Sequence, residues 1–460
     1  MRSAAGKGVV IRAGIFTVVL LCLINLLNYI DRNIVAGILK TIGQDLLNNQ
    51  FDSNTILFYK GIIHYSLVFS YVIFAPLISF LVDKRGWKRK VVIIPGIFLW
   101  CIATGLGGFV ESYQQLLLTR ALVGIGEACF VATAPGLIAD YFPVEKRGRI
   151  LMWFYLAGPL GVALAYMLAP NIASLFGNDW RYAFFLVGFP GILLGLLFFF
   201  VKEPSRGASH FTNQPDTPPP TMTWTKGELK RLVKNRSYVY VTAGMTALTF
   251  GMWGIAFFLP QYFHDVFAES HNLTMGQTGM MVGVSMIIGG MLGTLLGGFL
   301  ADYFNKFDKR GYFRVSGFAL FLCAPVFVVV FNVQDPWLFL VFSMLAQILM
   351  LINMAPSHAI ILNVTVPSIR TTAFALNMFF MHVLGDMISP PIIGGIGGIV
   401  QAQTGVNQVT GLYWGFLIVP FMLVLAGYFF WKGGPYYEGD VDAVEMRINH
   451  WSQTTSKKEL

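Results

Sequence analysis

The stretch SFLVDKRGWKRK, residues 79–90, leaves an apolar run and enters a cluster of bases, Lys84, Arg85, Lys88, Arg89 and Lys90, behind a single acid, Asp83. The flanking runs, 60–82 and 91–110, are predominantly apolar. Each has the length of about 20 residues that a helix needs to cross a hydrocarbon core of roughly 30 Å. Residues 79–90 therefore read as a short basic connection between two membrane-spanning helices, and the chain around them follows the same rule. Of its 460 residues, 55% are hydrophobic and only 12% charged, and the mean hydropathy is +0.64. A soluble domain carries about 25% charged residues.

Twelve spans follow from the apolar runs: 14–39, 60–82, 91–110, 115–142, 150–172, 182–201, 238–263, 276–301, 314–333, 337–362, 372–400 and 411–431. An even number places both termini on one side. The positive-inside rule selects that side. The odd-numbered connections hold Lys40, Lys60 and Arg181, and Arg32 and Arg120 lie inside spans. All the other Lys and Arg of the 32 fall in the N-terminal segment, the even-numbered connections or the tail. Both termini are expected to be cytoplasmic, with the plasma membrane and an endolysosomal membrane equally compatible. The first run carries Asp31 and Arg32 where a signal peptide would have a small-residue cleavage site, so it is expected to remain as the first span.

The basic connection recurs. Span eight ends in GGFLADYFNKFDKR, residues 297–310, which sets Asp302 opposite Asp83 in a second copy. Span four and its following connection read Ala134, Pro135, Pro143 and Arg147; span ten repeats them as Ala355, Pro356, Pro367 and Arg370 at nearly the same offset. Several markers at one offset imply a duplicated six-span unit. The expected organisation is a first bundle over 1–201, a cytoplasmic linker over 202–237, a second bundle over 238–432 and a tail over 433–460. The linker contains DTPPP and then KGELKRLVKNR, residues 226–236, which suits a short amphipathic helix on the inner membrane surface. The fold class is all-α: twelve transmembrane helices in two pseudo-symmetric six-helix bundles.

Twelve spans, duplicated halves and a basic loop after span two resemble the major facilitator superfamily. Asp83, Lys84, Gly86, Lys88 and Arg89 are similar to its loop motif, although Ser79 and Trp87 replace a glycine and an arginine of that pattern. Arg120, Gly124 and Gly126 in RALVGIGEA are similar to its second motif. NYIDR (28–32), GIGEA with APGLIADYF (124–142), GNDWRYAF (177–184), EPSRG (203–207) and RTTAFALNMFFMHVLGDMISPPIIG (370–394) resemble, more narrowly, the Spinster family of lipid transporters. The resemblance implies alternating access, with proton-linked or facilitated movement of an amphipathic lipid such as a lysophospholipid or a sphingosine phosphate. It implies gating roles for Asp83, Lys84, Gly86, Lys88, Arg89, Arg147 and Asp302. A proton-coupled symporter of a small organic anion is the alternative, since an arginine beside titratable acids serves a carboxylate equally well.

Ionisable residues inside a span cost about 2.5–3.5 kcal/mol each on insertion scales, so they are functional candidates by default. Asp31, Arg32, Arg120, Glu127 and Asp386, with His64, His358 and His382, make up this set. Arg120 and Glu127 are two helical turns apart and share a face. The resemblance places spans one and four side by side, which would let Asp31 and Arg32 meet them. One reading is a buried ion-pair network that sets helix register. The other is that protonation of Asp31 or Glu127 frees an arginine to hold an anionic headgroup, with Arg120 as the clamp; Arg32, also counted with the substrate-binding residues, is a partner for Asp31 or an outward-facing snorkelling side chain. His382 and Asp386, one turn apart in span eleven, either add substrate contacts from the second half or form a satisfied pair that packs spans. GPLG (158–161) and GGIGG (394–398) allow close helix approach and bending.

Other functions lack their signatures. The formal charge of +9 is spread over alternate connections, not gathered on one nucleic-acid-binding face. Cys22, Cys101, Cys129 and Cys323 all sit in apolar spans, as small buried hydrophobes do. No GxxxxGK[ST], HExxH or GxSxG occurs, so no ATP-driven pump or familiar hydrolase is indicated. No enzyme activity, cofactor or metal is expected; the expected partners are the lipid, protons and the membrane, with the protein working as a monomer. Asn272-Leu273-Thr274 is a glycosylation acceptor pattern in an odd-numbered connection, and the terminal KKEL resembles a di-lysine retrieval signal.

Overall fold

The computed structural model describes residues 2–48, 50–85, 87–142, 144–204, 226–366 and 369–456. Among them there are helices and no strands, and twelve helical segments are long and apolar enough to span a membrane. In order these are Gly14–Gly37, Ile56–Val82, Arg89–Phe109, Tyr113–Ile138, Leu156–Leu175 and Arg181–Phe198, then Arg236–His271, Met275–Asn305, Gly311–Asn332, Pro336–Asn363, Thr372–Thr404 and Gln408–Arg447. The polarity is that of a membrane protein. Phe200, Phe299 and Trp337 are exposed, whereas Asp31, Arg120, Glu127 and Asp386 are buried. Large apolar side chains face outward without penalty only where the solvent is hydrocarbon.

Three boundaries differ from the sequence reading. Span seven runs to His271, two turns past the expected end, because PQYFHDVFAESH keeps helical hydrogen bonding through its polar residues. The last helix continues through Ser456, so the segment expected as a tail is helical where it is described. Lys60 is not in a connection: it lies in the helix Ile56–Arg85 and is only 3% exposed.

The internal repeat is visible in the helix breaks. Span four is interrupted between Val131 and Ala134, and span ten between Leu351 and Met354. In both, a proline, Pro135 or Pro356, stands in the first turn of the second piece, where its missing N–H costs nothing. The two halves thus share one irregularity with one cause.

The chain packs as two compact units. One comprises residues 1–217, 257–284 and 397–409; the other comprises 218–256, 285–396 and 410–460. Within the first, span one packs on span five, and spans two and three both pack on span four. The start of span eight joins it by close approach to span five. A Cβ on Gly283 would lie 2.7 Å from the Ala163 carbonyl oxygen, and Asn171 Nδ2 donates to the Gly276 carbonyl over 3.4 Å. Small residues give helices van der Waals contact and backbone hydrogen bonding that lipid does not compete for.

In the second unit, span nine packs on spans ten and twelve, with Phe331 stacked on Phe416 at 4.9 Å between centroids. The basic segment Lys226–Lys234 is a helix, as its pattern predicts. It docks on the last helix: Glu228 pairs with Arg231 at 2.6 Å and with Arg447 at 3.0 Å.

Candidate functional site

The site is carried by spans one, three and four of the first unit. Two glycines of RALVGIGEA set the geometry. Gly124 lies flush against the Leu67 carbonyl and Ser70 of span two, and Ser70 Oγ donates to the Ala121 carbonyl over 2.7 Å. Gly126 lies against span three, where a Cβ would stand 2.7 Å from both the Gly96 carbonyl oxygen and the Trp100 backbone nitrogen. With one glycine turned to each neighbour, span four is drawn into the bundle, and Arg120 and Glu127 become fully enclosed. In span one, Tyr29 of NYIDR packs on the GPLG segment: Gly161 leaves room for the Leu26 carbonyl, which a Cβ would meet at 2.9 Å.

Asp31 and Arg120 are each 1% exposed, and Glu127 is 0% exposed. Arg120 Nη1 stands 3.7 Å from Asp31 Oδ1, an ion pair without a short hydrogen bond. Thr104 Oγ1, from span three, lies 2.6 Å from each oxygen of Asp31 and donates to the carboxylate. Arg120 Nη2 reaches the same hydroxyl at 3.4 Å, and the guanidinium lies over the Phe184 ring at 4.8 Å. Its Nε and Nη1 find no hydrogen-bond acceptor among the described residues. A guanidinium has five N–H donors, so Arg120 is buried with most of its capacity unused.

Glu127 is enclosed on the same face. Neither of its oxygens makes a close hydrogen bond among the described residues, while the charges of Arg32, Asp31 and Arg120 all act on it. Arg32 is stacked over Tyr71 of span two at 5.3 Å. The four charges sum to zero, which makes burial tolerable, but the contacts of Arg120 and Glu127 are loose. A network built only for stability would saturate its donors and acceptors.

The remaining predicted residues fall elsewhere. His382 and Asp386 lie in the second unit, in a π-helical turn of span eleven, and pair through Nδ1 and Oδ2 at 3.0 Å. Asp83 and Lys84 sit in the last turn of the helix Ile56–Arg85, with side chains outside the described set, as is that of Arg147 in the helix Val144–Leu175; Gly86 lies outside the described residues. Pro143, Pro367 and the KKEL terminus also lie outside them. Lys88 is exposed and flanks the start of span three. Asp302 is exposed and accepts from Tyr312 Oη at 3.1 Å. Among the described residues no three His, Cys, Asp or Glu side chains come close enough to hold a metal ion.

Three contributors escaped the sequence reading. Thr104 had no signal, because a hydroxyl in an apolar helix is common and costs little. Lys60, at the edge of an apolar run, reads from sequence as a connection residue. Glu203, in EPSRG, caps span three: its carboxylate accepts from the backbone N–H of Arg89 at 2.8 Å and of Lys90 at 3.1 Å. An anion at a helix N-terminus satisfies orphan donors and meets the positive end of the dipole. Glu203→Ala is expected to cost about 1–2 kcal/mol, and Glu203→Gln less, read as a drop in the thermal unfolding midpoint of the purified protein. Unchanged midpoints in both would remove the cap from the account.

A sequence description of the Major Facilitator Superfamily matches residues 21–331. Protein spinster of Drosophila melanogaster is 32% identical over 400 residues, which span 85% of this chain and 63% of that protein. A sphingosine-1-phosphate transporter of Danio rerio is 30% identical over 450 residues, 94% of this chain and 86% of that one. The crystal structure of a bacterial homologue of the lysosomal transporter Spinster superposes with a TM-score of 0.78 at 19% identity, covering 93% of this chain and 98% of that one. These relatives are transporters or homologues of transporters, not enzymes. The superfamily match over residues 21–331 and the 30–32% identity to Spinster-type proteins over most of the chain place it in the Spinster family of the major facilitator superfamily.

Proposed function

We propose that this integral membrane protein is a secondary transporter working by alternating access, which moves an amphipathic lipid with an anionic headgroup, such as a lysophospholipid or a sphingosine phosphate, coupled to protons. The observation that carries the reading is Arg120: fully enclosed, paired with Asp31 only at 3.7 Å, with Nε and Nη1 unbonded among the described residues. Such a group is ready to accept a phosphate or carboxylate in two-point contact.

In this reading Arg120 clamps the headgroup and Arg32 partners it. Asp31 and Glu127 carry protons, because neutralising either acid leaves the set with a surplus positive charge that an anion can balance. His382 and Asp386 serve as substrate contacts of the second unit. The even-numbered connections, with Asp83, Lys84, Gly86, Lys88, Arg89, Arg147 and Asp302, act as gates facing the cytoplasm, which also holds both termini. The 30% identity to a sphingosine-1-phosphate transporter over 94% of the chain supports the lipid class.

The test is uptake into proteoliposomes with an imposed pH gradient, comparing labelled lysophosphatidylcholine, sphingosine phosphate and octanoate. A lipid should accumulate chemically unchanged, faster with the gradient than without it. Uptake of octanoate alone would instead identify a small organic anion as the substrate, and conversion of a lipid would make the protein an enzyme.

A further inference from the structure

A second buried charge cluster lies in the first unit, away from Asp31 and Glu127, and no step above uses it. Lys60 in span two is 3% exposed, and the Cα of Gly43 gives its aliphatic stem room. Its Nζ donates to Gln261 Oε1 at 3.0 Å. Gln261 Nε2 in turn donates to Asp265 Oδ2 at 3.1 Å. Asp265 Oδ1 is taken by Lys40 Nζ at 2.6 Å. Asp265 therefore meets Lys40 directly and Lys60 only through Gln261, and the more deeply buried ammonium holds a neutral amide. An ammonium has three donors, and Gln261 is the single acceptor that Lys60 meets among the described residues. His264, beside Asp265, is the other titratable group acted on by Lys40 and Asp265.

A bond that merely fastens span seven to the first half needs Lys40 and Asp265 and nothing more. The surplus cation is costly to bury unless an anion meets it at some stage. We propose that Lys60 and Lys40 form a second oxyanion subsite, at the ends of spans two and seven next to the odd-numbered connections, which Asp265 closes from within the chain, directly on Lys40 and through Gln261 on Lys60, and which the phosphate or carboxylate of the transported molecule fills in its place. The proposal rests on the transporter reading above and extends it: substrate competes with Asp265 for Lys40 and with the Gln261 amide for Lys60. Arrival of the anion then releases the contact that ties span seven to Lys40.

Competition predicts effects of opposite sign. The test measures binding of oleoyl lysophosphatidic acid, monooleoylglycerol and octanoate to the full chain in detergent, for wild type, Lys60→Gln, Lys40→Gln and Asp265→Asn. Lysophosphatidic acid binding should weaken about tenfold in each lysine variant, the size expected when one charged hydrogen bond is lost. It should tighten by about the same factor in Asp265→Asn, where the internal competitor is gone. Monooleoylglycerol, with the same acyl chain and no phosphate, should not move. Shifts of one sign in the lysine and aspartate variants, or equal shifts for monooleoylglycerol, overturn the subsite and leave a simple fastening. If Lys60→Gln fails to fold, the partly exposed Lys40→Gln and Asp265→Asn still carry the opposite signs. If octanoate binds and no lipid does, the lipid reading falls while the same signs, read with octanoate, decide the subsite. If wild type binds neither anion, the subsite falls.

Discussion

Glu127→Gln is expected to abolish the response of transport to a pH gradient while leaving substrate exchange across the membrane in place. Glutamine keeps the shape of the side chain and is permanently neutral, so it imitates the protonated acid. In the native protein Glu127 is 0% exposed, with Arg32, Asp31 and Arg120 acting on it. Protonating it leaves two bases against one acid, and an anionic substrate restores neutrality. A one-unit pH gradient is worth about 1.4 kcal/mol per proton, which supports about tenfold accumulation. Wild-type proteoliposomes should show that accumulation, and the variant should show none above the level without a gradient. Exchange of labelled for unlabelled substrate, which needs no net proton movement, should continue in both. A variant that still accumulates substrate with the gradient would move the proton-carrying role to Asp31 alone.

The second large effect is expected at Arg120. Arg120→Met removes the cation and leaves Asp31, 1% exposed, with the Thr104 hydroxyl as its close partner. Breaking a buried pair from one side costs about 3–5 kcal/mol, since the remaining charge is stranded. Thermal unfolding at mildly alkaline pH, where Asp31 is least able to escape by taking up a proton, should show the loss in full. The double variant Asp31→Asn with Arg120→Met removes both charges and should recover most of the stability. Its transport should stay absent, because the headgroup clamp is missing. Recovered stability with lost transport separates the two roles of Arg120. Recovery of both would make the pair a structural device, and normal transport by Arg120→Met alone would remove the clamp.

Much of this was legible in the residues. The run of apolar segments established twelve spans, and markers such as Asp83 and Asp302 revealed two copies of one unit. Pro135 and Pro356 then appear as matching helix breaks, since proline acts through its own covalent geometry wherever it stands. Asp31, Arg32, Arg120 and Glu127 were also visible, because a charge inside an apolar run is conspicuous. Thr104, Lys60 and Glu203 were not. A threonine in a membrane helix is unremarkable until a carboxylate lies 2.6 Å away. Lys60 at the edge of a run looks like a loop residue until span seven, continuing to His271, covers it. Glu203 becomes a helix cap only when the chain returns to the start of span three.

The sequence by itself therefore determined the solvent, the number of spans, the duplication and the identity of the ionisable groups, since each follows from hydrophobicity and local spacing. Tertiary structure alone decided which charges meet and how loosely. The 3.7 Å separation of Arg120 from Asp31, and the contact of Asp265 with Lys40 directly but with Lys60 only through Gln261, depend on helices drawn together by glycines far apart in the chain. No local pattern encodes such distances, yet electrostatic energy in a low-dielectric interior is set by them.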